Sequence, residues 1–339
     1  MTLAASFSAA ATPLPFPALT AARQVDGLAE RETRQPLDAT TDAATDRSAP
    51  PVRLALVLGS GGVRAVAALG VAEVLQEAGL APDLIVGCSA GAIFGALIAA
   101  GHRAEAAQGL ARSLWSREVT SQRRRRAWLE MALGPIVTSH GERFAREFAL
   151  RDDRLILERL HRAFGDARLE DLPTPMRVNA TDAHSGAPVL LTRGRVCDAL
   201  RASIALPFLF APHSIEGRLL VDGSVCDPLP LGAASHADVV LGLGFEIPTP
   251  RTVTGPTRLA TRITAALTNN LMQARMQAHA GPTRITLLPA LERRVGLFDT
   301  DAMPELIDVG RRAAREALPQ LQRALKSRVE AVRLHPRAA

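Results

Sequence analysis

The stretch from Arg53 to Gly101 constrains this chain more than any other, because short apolar runs alternate there with glycine turns and helical patterns. Arg53–Leu58 reads as a strand, Gly59-Ser60-Gly61-Gly62 as a turn, and Arg64–Ala78 carries apolar residues at helical spacing. A second strand run, Leu84–Val86, enters another tight turn, and an apolar helix begins at Ala90. Such a βαβα unit calls for an α/β fold, with a mostly parallel central sheet covered by helices.

Downstream, the helical patterns between His102 and Asp166 turn strongly basic, with Arg123–Arg126 leading into Trp128, Leu129, Met131 and Leu133. Strand-like runs resume at Met176–Ala180 and Pro188–Leu191, a helix is expected over Val196–Ile204, and a strand pair surrounds Glu216-Gly217. A further apolar strand covers Asp238–Leu243, and helices over Pro256–Ala280 and Met303–Ala331 flank a strand at Arg284–Leu288. The expected organisation is a leader over residues 1–50 without sustained period and therefore disordered, a core over 51–247, and a helical cover of the same domain over 248–339. The core includes a helical basic insertion at about 102–166, which reads as a plain surface helix ahead of a membrane contact by arginines and Trp128, and in either case is the best place for a lid over Ser89.

Three short motifs carry chemistry. Gly87-Cys88-Ser89-Ala90-Gly91 fits G-x-S-x-G between a strand and a helix, the context in which a strained turn presents a serine hydroxyl at a helix N-terminus. The alternative is a helix N-cap serine. Gly59, Gly61 and Gly62, followed by Arg64, form a glycine loop that opens the first helix. It lacks the third glycine of a dinucleotide fingerprint and the G-K-[ST] of a P-loop, which leaves an oxyanion hole or an ordinary strand-to-helix turn. Val221-Asp222-Gly223 ends a strand with an acid. If that strand belongs to the parallel sheet, its C-terminal end lies on the same edge as Ser89, and Asp222 can take the serine proton directly. The rival reading of Asp-Gly is a turn alone. The late histidines, His213, His236, His279 and His335, stand in surface or tail contexts that do not suit a Ser-His-Asp triad.

Composition narrows the partners. The net charge of +6 comes almost wholly from arginine, Lys326 being the single lysine, and favours phosphate-bearing partners. With 4% aromatic residues and no tyrosine, stacking platforms for nucleic acid are poorly supplied, so lipid is preferred to nucleic acid. The odd set Cys88, Cys197 and Cys226 has no C-x-x-C spacing, which argues against a zinc site and a disulfide framework. No metal or cofactor is called for. No apolar run reaches membrane-spanning length and no charged leader precedes the N-terminal apolar stretch, so a cytoplasmic protein with at most peripheral membrane contact is expected.

Taken in this order, the glycine loop Gly59–Arg64, the elbow Gly87–Gly91 and the acidic turn Asp222-Gly223 resemble the patatin-like phospholipase family. Val178–Asp182 and Leu200–Ser203 through Pro207 look like its central strand and the helix leading to the acid, so the resemblance spans about Val52 to Glu246. Ala65, Ser224 and Asp227 stand where the patatin-like family usually has glycine, glycine or alanine, and often asparagine, and a second carboxylate at Asp227 would raise the pKa of Asp222 if the two face each other. The resemblance implies a three-layer α/β/α sandwich and a metal-free Ser89–Asp222 dyad cleaving phospholipid or related acyl esters through an acyl-enzyme. It also implies oxyanion donors at Gly61 and Gly62, and an Arg64 that holds the loop or a head-group phosphate. A soluble esterase or thioesterase, and a non-catalytic protein binding acyl chains or anions, remain as alternatives.

Overall fold

The computed structural model describes residues 54–116, 118, 149, 151–249 and 252–334. The expected leader and most of the basic insertion, including Arg123–Arg126 and Trp128, lie outside the described residues.

Strands β1 (Leu54–Leu58) and β2 (Leu84–Cys88) are buried at every position, as strands with helices on both faces must be. They join β3 (Met176–Asp182), β4 (Pro188–Leu191), β5 (His213–Ile215), β6 (Arg218–Asp222), β7 (Val239–Leu243) and β8 (Arg284–Leu287) in one eight-stranded sheet, paired along the path β5-β6-β3-β2-β1-β7-β8 with β4 also on β3. Strands β3, β2, β1, β7 and β8 run parallel, whereas β4 and β6 run antiparallel to β3. Glu216 (φ 50) and Gly217 (φ 78) make the left-handed two-residue turn that joins β5 to β6 as a hairpin.

Seven α-helices complete the described fold: α1 (Ala67–Glu77), α2 (Ala90–Ala99), α3 (Ala104–Leu114), α4 (Arg154–Phe164), α5 (Val196–Ser203), α6 (Pro256–Ala278) and α7 (Met303–Leu334). Alternation along the strands sorts the core into two layers. Leu54, Leu56, Leu58 and Ile85 pack with α1, α2 and α7, while Ala55, Val57, Leu84 and Val86 pack with Leu229, Leu231 and, from α6, Met272. Helices therefore cover both faces of the sheet, an α/β/α sandwich. On the thicker face α1 and α7 touch through glycine, since a Cβ on Gly70 or Gly310 would fall 2.1 or 2.0 Å from a carbonyl oxygen of the other helix.

Candidate active site

Ser89 follows the last residue of β2 and stands at φ 56, ψ −130, a conformation costly for any residue with a Cβ and kept only where the surroundings impose it. They do so by contact. A Cβ on Gly91 would lie 2.4 Å from the Gly59 carbonyl oxygen, and one on Gly87 2.4 Å from Ala92 Cα, so the elbow and the glycine loop are packed backbone against backbone. Ser89 occupies the N-cap position of α2, yet its side chain makes no capping bond. Its Oγ instead donates to Asp222 Oδ2 at 2.6 Å, the length of a charge-assisted hydrogen bond.

The route by which Asp222 arrives differs from the expectation drawn from a parallel strand. β4 pairs with β3 over Val178–Thr181 and so fills one edge of that strand. The other edge is shared end to end: β2 pairs up to Cys88↔Asn179, and β6, running the opposite way, pairs from Asp182 back to Ala180↔Asp222. The C-termini of β2 and β6 thus meet head to head at adjacent residues of β3. The antiparallel hairpin, rather than a shared strand direction, delivers the carboxylate.

Asp222 is 1% exposed. Its Oδ1 accepts from the Ser224 amide at 2.8 Å, its own amide donates to Ala205 O at 3.0 Å, and Thr181 Oγ1 donates to its carbonyl at 2.8 Å. Burial pushes its carboxyl up to about 6, against the hydrogen bonds from Ser89 and Ser224, which favour the charged form. Asp227 takes no part in that shift. Its carboxylate lies 3.9 Å from Arg275 Nε, and burial raises its own pKa against the pull of that guanidinium. The raised pKa of Asp222 thus comes from desolvation, and the condition of a facing second carboxylate is not needed to account for it.

Two buried polar side chains, one on β3 and one on α5, tie the motifs together. Asn179 Nδ2 donates to the carbonyls of Gly223 (3.2 Å) and Asp227 (3.0 Å). Ser203 Oγ, from the last residue of α5, accepts from the Ser89 amide at 2.8 Å and donates to Asn179 O at 2.7 Å. The sequence places Asn179 in an expected strand and Ser203 at the end of an expected helix without giving either side chain a role; the available signal is a polar residue at a position whose neighbours on the same face are apolar.

In the glycine loop, the amides of Gly59, Ser60 and Val63 are engaged by Leu243 O, Pro228 O and Leu297 O. Among the described residues, no backbone acceptor takes the amides of Gly61 and Gly62, the pair expected to hold an oxyanion. Gly62 has φ 60, and a Cβ there would meet Leu297 O at 2.6 Å, so glycine is required twice over. Arg64 is 1% exposed, its Nε donating to Gly61 O at 2.9 Å and Nη1 to Glu246 O. Desolvation lowers its pKa to about 10. It braces the loop from within, a setting unlike that of a solvated helix-start arginine.

The histidines form contacts elsewhere: His213 with Asp198 at 3.5 Å, His236 with Arg177 at 3.4 Å, and His279 against Gly232, while His335 lies outside the described residues. Cys88, Cys197 and Cys226 are free and buried, and burial raises the pKa of each, which keeps them as thiols. Among the described residues no helix is long and apolar enough to cross a membrane.

Residues 56–235, from within β1 to just beyond the acidic turn, match the family model for patatin-like phospholipase. The chain belongs to the patatin-like phospholipase family. The patatin-like match takes in the glycine loop, the elbow and Asp222, the three motifs that pack together around Ser89. An uncharacterised NTE family protein of Mycobacterium tuberculosis is 36% identical over 202 residues, 59% of this chain and 51% of that one. A lysophospholipase of Aspergillus fumigatus is 30% identical over 199 residues, 57% of this chain and 11% of its own length. The chain thus spans about half or less of these curated relatives. The solved structure of VipD from Legionella pneumophila aligns over 82% of this patatin-like chain and 67% of its own, with 15% identity and a TM-score of 0.42.

Proposed function

We propose that this patatin-like protein is a serine lipid acyl hydrolase of the phospholipase A or lysophospholipase type, acting through Ser89 and Asp222 without a metal. The observation that carries the reading is the 2.6 Å hydrogen bond from Ser89 Oγ to a buried carboxylate at the N-terminus of α2. A carboxylate whose pKa is raised to about 6 is ionised at neutral pH and is still basic enough to draw a proton from the serine as the bond to carbon forms.

In the first half-reaction Oγ attacks the ester carbonyl carbon and its proton passes to Asp222 Oδ2. The carbonyl oxygen becomes an oxyanion held by the amides of Gly61 and Gly62, such donors being worth about 2.7–4 kcal/mol each in comparable sites. The carbon–oxygen bond to the leaving alcohol breaks, and Asp222 returns the proton to that oxygen. Water then adds to the acyl-enzyme while Asp222 accepts its proton, and collapse breaks the bond from carbon to Oγ, Asp222 returning that proton to Oγ as the fatty acid leaves. Arg64 holds Gly61 by its carbonyl and so keeps the loop amides turned outward, and Gly87, Gly91 and Gly223 supply the close approaches that this arrangement needs. The lipid substrate class is supported by family membership and by the lysophospholipase relative.

Labelling with a fluorophosphonate, together with turnover of lysophospholipid and of short-chain esters, tests the proposal. Wild type should label and hydrolyse, and Ser89→Ala and Asp222→Asn should each lower turnover by roughly a thousandfold or more. Full turnover by either variant overturns the dyad. Labelling with activity confined to short esters makes the protein a small-substrate esterase, and absence of labelling makes it an acyl- or anion-binding protein.

A further inference from the structure

The helix α6 is too long for the layer it crosses. It connects β7 to β8, which are parallel neighbours, yet its 23 residues span about 34 Å against about 17 Å for the five-residue strand β7. Its C-terminal half fills that span: Met272 packs against Gly244, and Arg275 donates to Cys226 O. Asn269 marks where the helix leaves the sheet, bonding both the amide and the carbonyl of Ile247 just past the end of β7. The residues before it, Pro256–Thr268, continue on the order of 20 Å beyond the edge at which β1 and β2 release the glycine loop and Ser89.

The overhanging part is exposed from Arg258 to Thr264, and it carries Leu259, Ile263 and Leu267 at 47, 51 and 65% exposure. Spaced four apart, the three form one stripe. Buried Ala265 stands two residues from both Ile263 and Leu267, about 200° round the helix, so the stripe faces away from the body. α6 contains no Asp or Glu, and no carboxylate among the described residues pairs with Arg258 or Arg262; Arg262 borders the stripe on the Leu259 side, and Arg258 stands exposed in the first turn of the helix. Two more exposed apolar side chains stand in loops attached to the candidate dyad: Phe208 (71%), three residues beyond the Ala205 carbonyl that receives the Asp222 amide, and Val225 (47%), three residues beyond Asp222.

We propose that the overhanging half of α6 docks the protein on an anionic lipid bilayer, Leu259, Ile263 and Leu267 entering the acyl boundary while Arg258 and Arg262 reach the head-group phosphates. An apolar stripe bordered by Arg262, with Arg258 on the exposed first turn and no acid on the helix, is the pattern of an interfacial helix, and the charge complements anionic lipid. The inference rests on the lipid-hydrolase reading for its purpose, though the docking itself does not depend on turnover.

The test is co-sedimentation with phosphatidylcholine vesicles, with and without phosphatidylglycerol, alongside turnover of a soluble short-chain ester. Wild type and Ser89→Ala should bind the anionic vesicles equally. The triple variant Leu259→Gln, Ile263→Gln, Leu267→Gln should bind roughly a hundredfold more weakly, and Arg258→Gln with Arg262→Gln roughly tenfold more weakly, both with ester turnover within about twofold of wild type. Should the triple variant fold poorly, Leu267→Gln alone provides the comparison. Undiminished binding by the stripe variants overturns the proposal, as does wild type that fails to bind or a stripe-dependent dimer whose vesicle binding is unaltered by the substitutions. Stripe-dependent binding by a protein that hydrolyses no ester upholds the docking and removes the hydrolase reading.

Discussion

Ser89 is held by the absence of side chains, whereas Asp222, one hydrogen bond away, is held by an abundance of them. Around the serine, Gly87, Gly91 and Gly59 let main chain touch main chain, and the strained φ of 56 follows from that crowding. Around the aspartate, Asn179, Thr181 and Ser203 satisfy buried carbonyls and amides one by one. Ser203 belongs to both sets, since it accepts from the Ser89 amide and donates to Asn179 O. Steric support fails abruptly when an atom is added, and polar support fails by degrees when one is removed.

The largest expected effect is on the steric side. Gly91→Ala places a methyl against the carbonyls of Gly59 and Leu58 and should cost above about 3 kcal/mol, read by chemical denaturation, with turnover falling along with it. Asp222→Asn should act in the opposite direction on stability. The folded pKa of about 6 lies above the ordinary value of 3.8, so the stability that Asp222 contributes is present below about pH 4 and is lost as pH rises through 6. The asparagine variant should therefore gain up to about 3 kcal/mol on wild type at pH 8, the gap closing toward pH 4, even as activity disappears. Wild-type activity should fall as pH drops below about 6, because the base is then protonated; a profile flat to pH 4 would contradict the assignment.

On the polar side, Asn179→Ala leaves the carbonyls of Gly223 and Asp227 without that donor and should cost about 2 kcal/mol, with turnover reduced roughly tenfold to a hundredfold. Ser203→Ala, which removes one acceptor and one donor, should cost about 1 kcal/mol and lower kcat more than it raises KM. If Ser203→Ala proved as damaging as Gly91→Ala, the contrast between the two kinds of support would not hold.

Much of this was legible in the residues. β1, β2 and β7 are wholly buried and so read as uninterrupted apolar runs, and the glycines fall where strands turn into helices, which placed the elbow and the loop. The hairpin at Glu216-Gly217 was visible from its turn residues, but its pairing partner was not, because a strand's pattern reports burial and not direction. That is why Asp222 was given the right neighbourhood by the wrong route. For Arg64 the sequence left open whether it holds the loop or a head-group phosphate, and its burial with Nε on Gly61 O places it on the loop. The length of α6 could be read, while its reach past the sheet depends on how short β7 is and on where Asn269 anchors it.

The end-to-end meeting of β2 and β6 makes β3 a ruler for the proposed dyad. Cys88 is registered on Asn179 and Asp222 on Ala180, so a single peptide link sets the spacing of Ser89 and Asp222. One residue inserted between those two marks would draw the oxygens apart by about 3.3 Å, more than the whole length of the bond that joins them, and would also break the pairing of β4 across the same boundary.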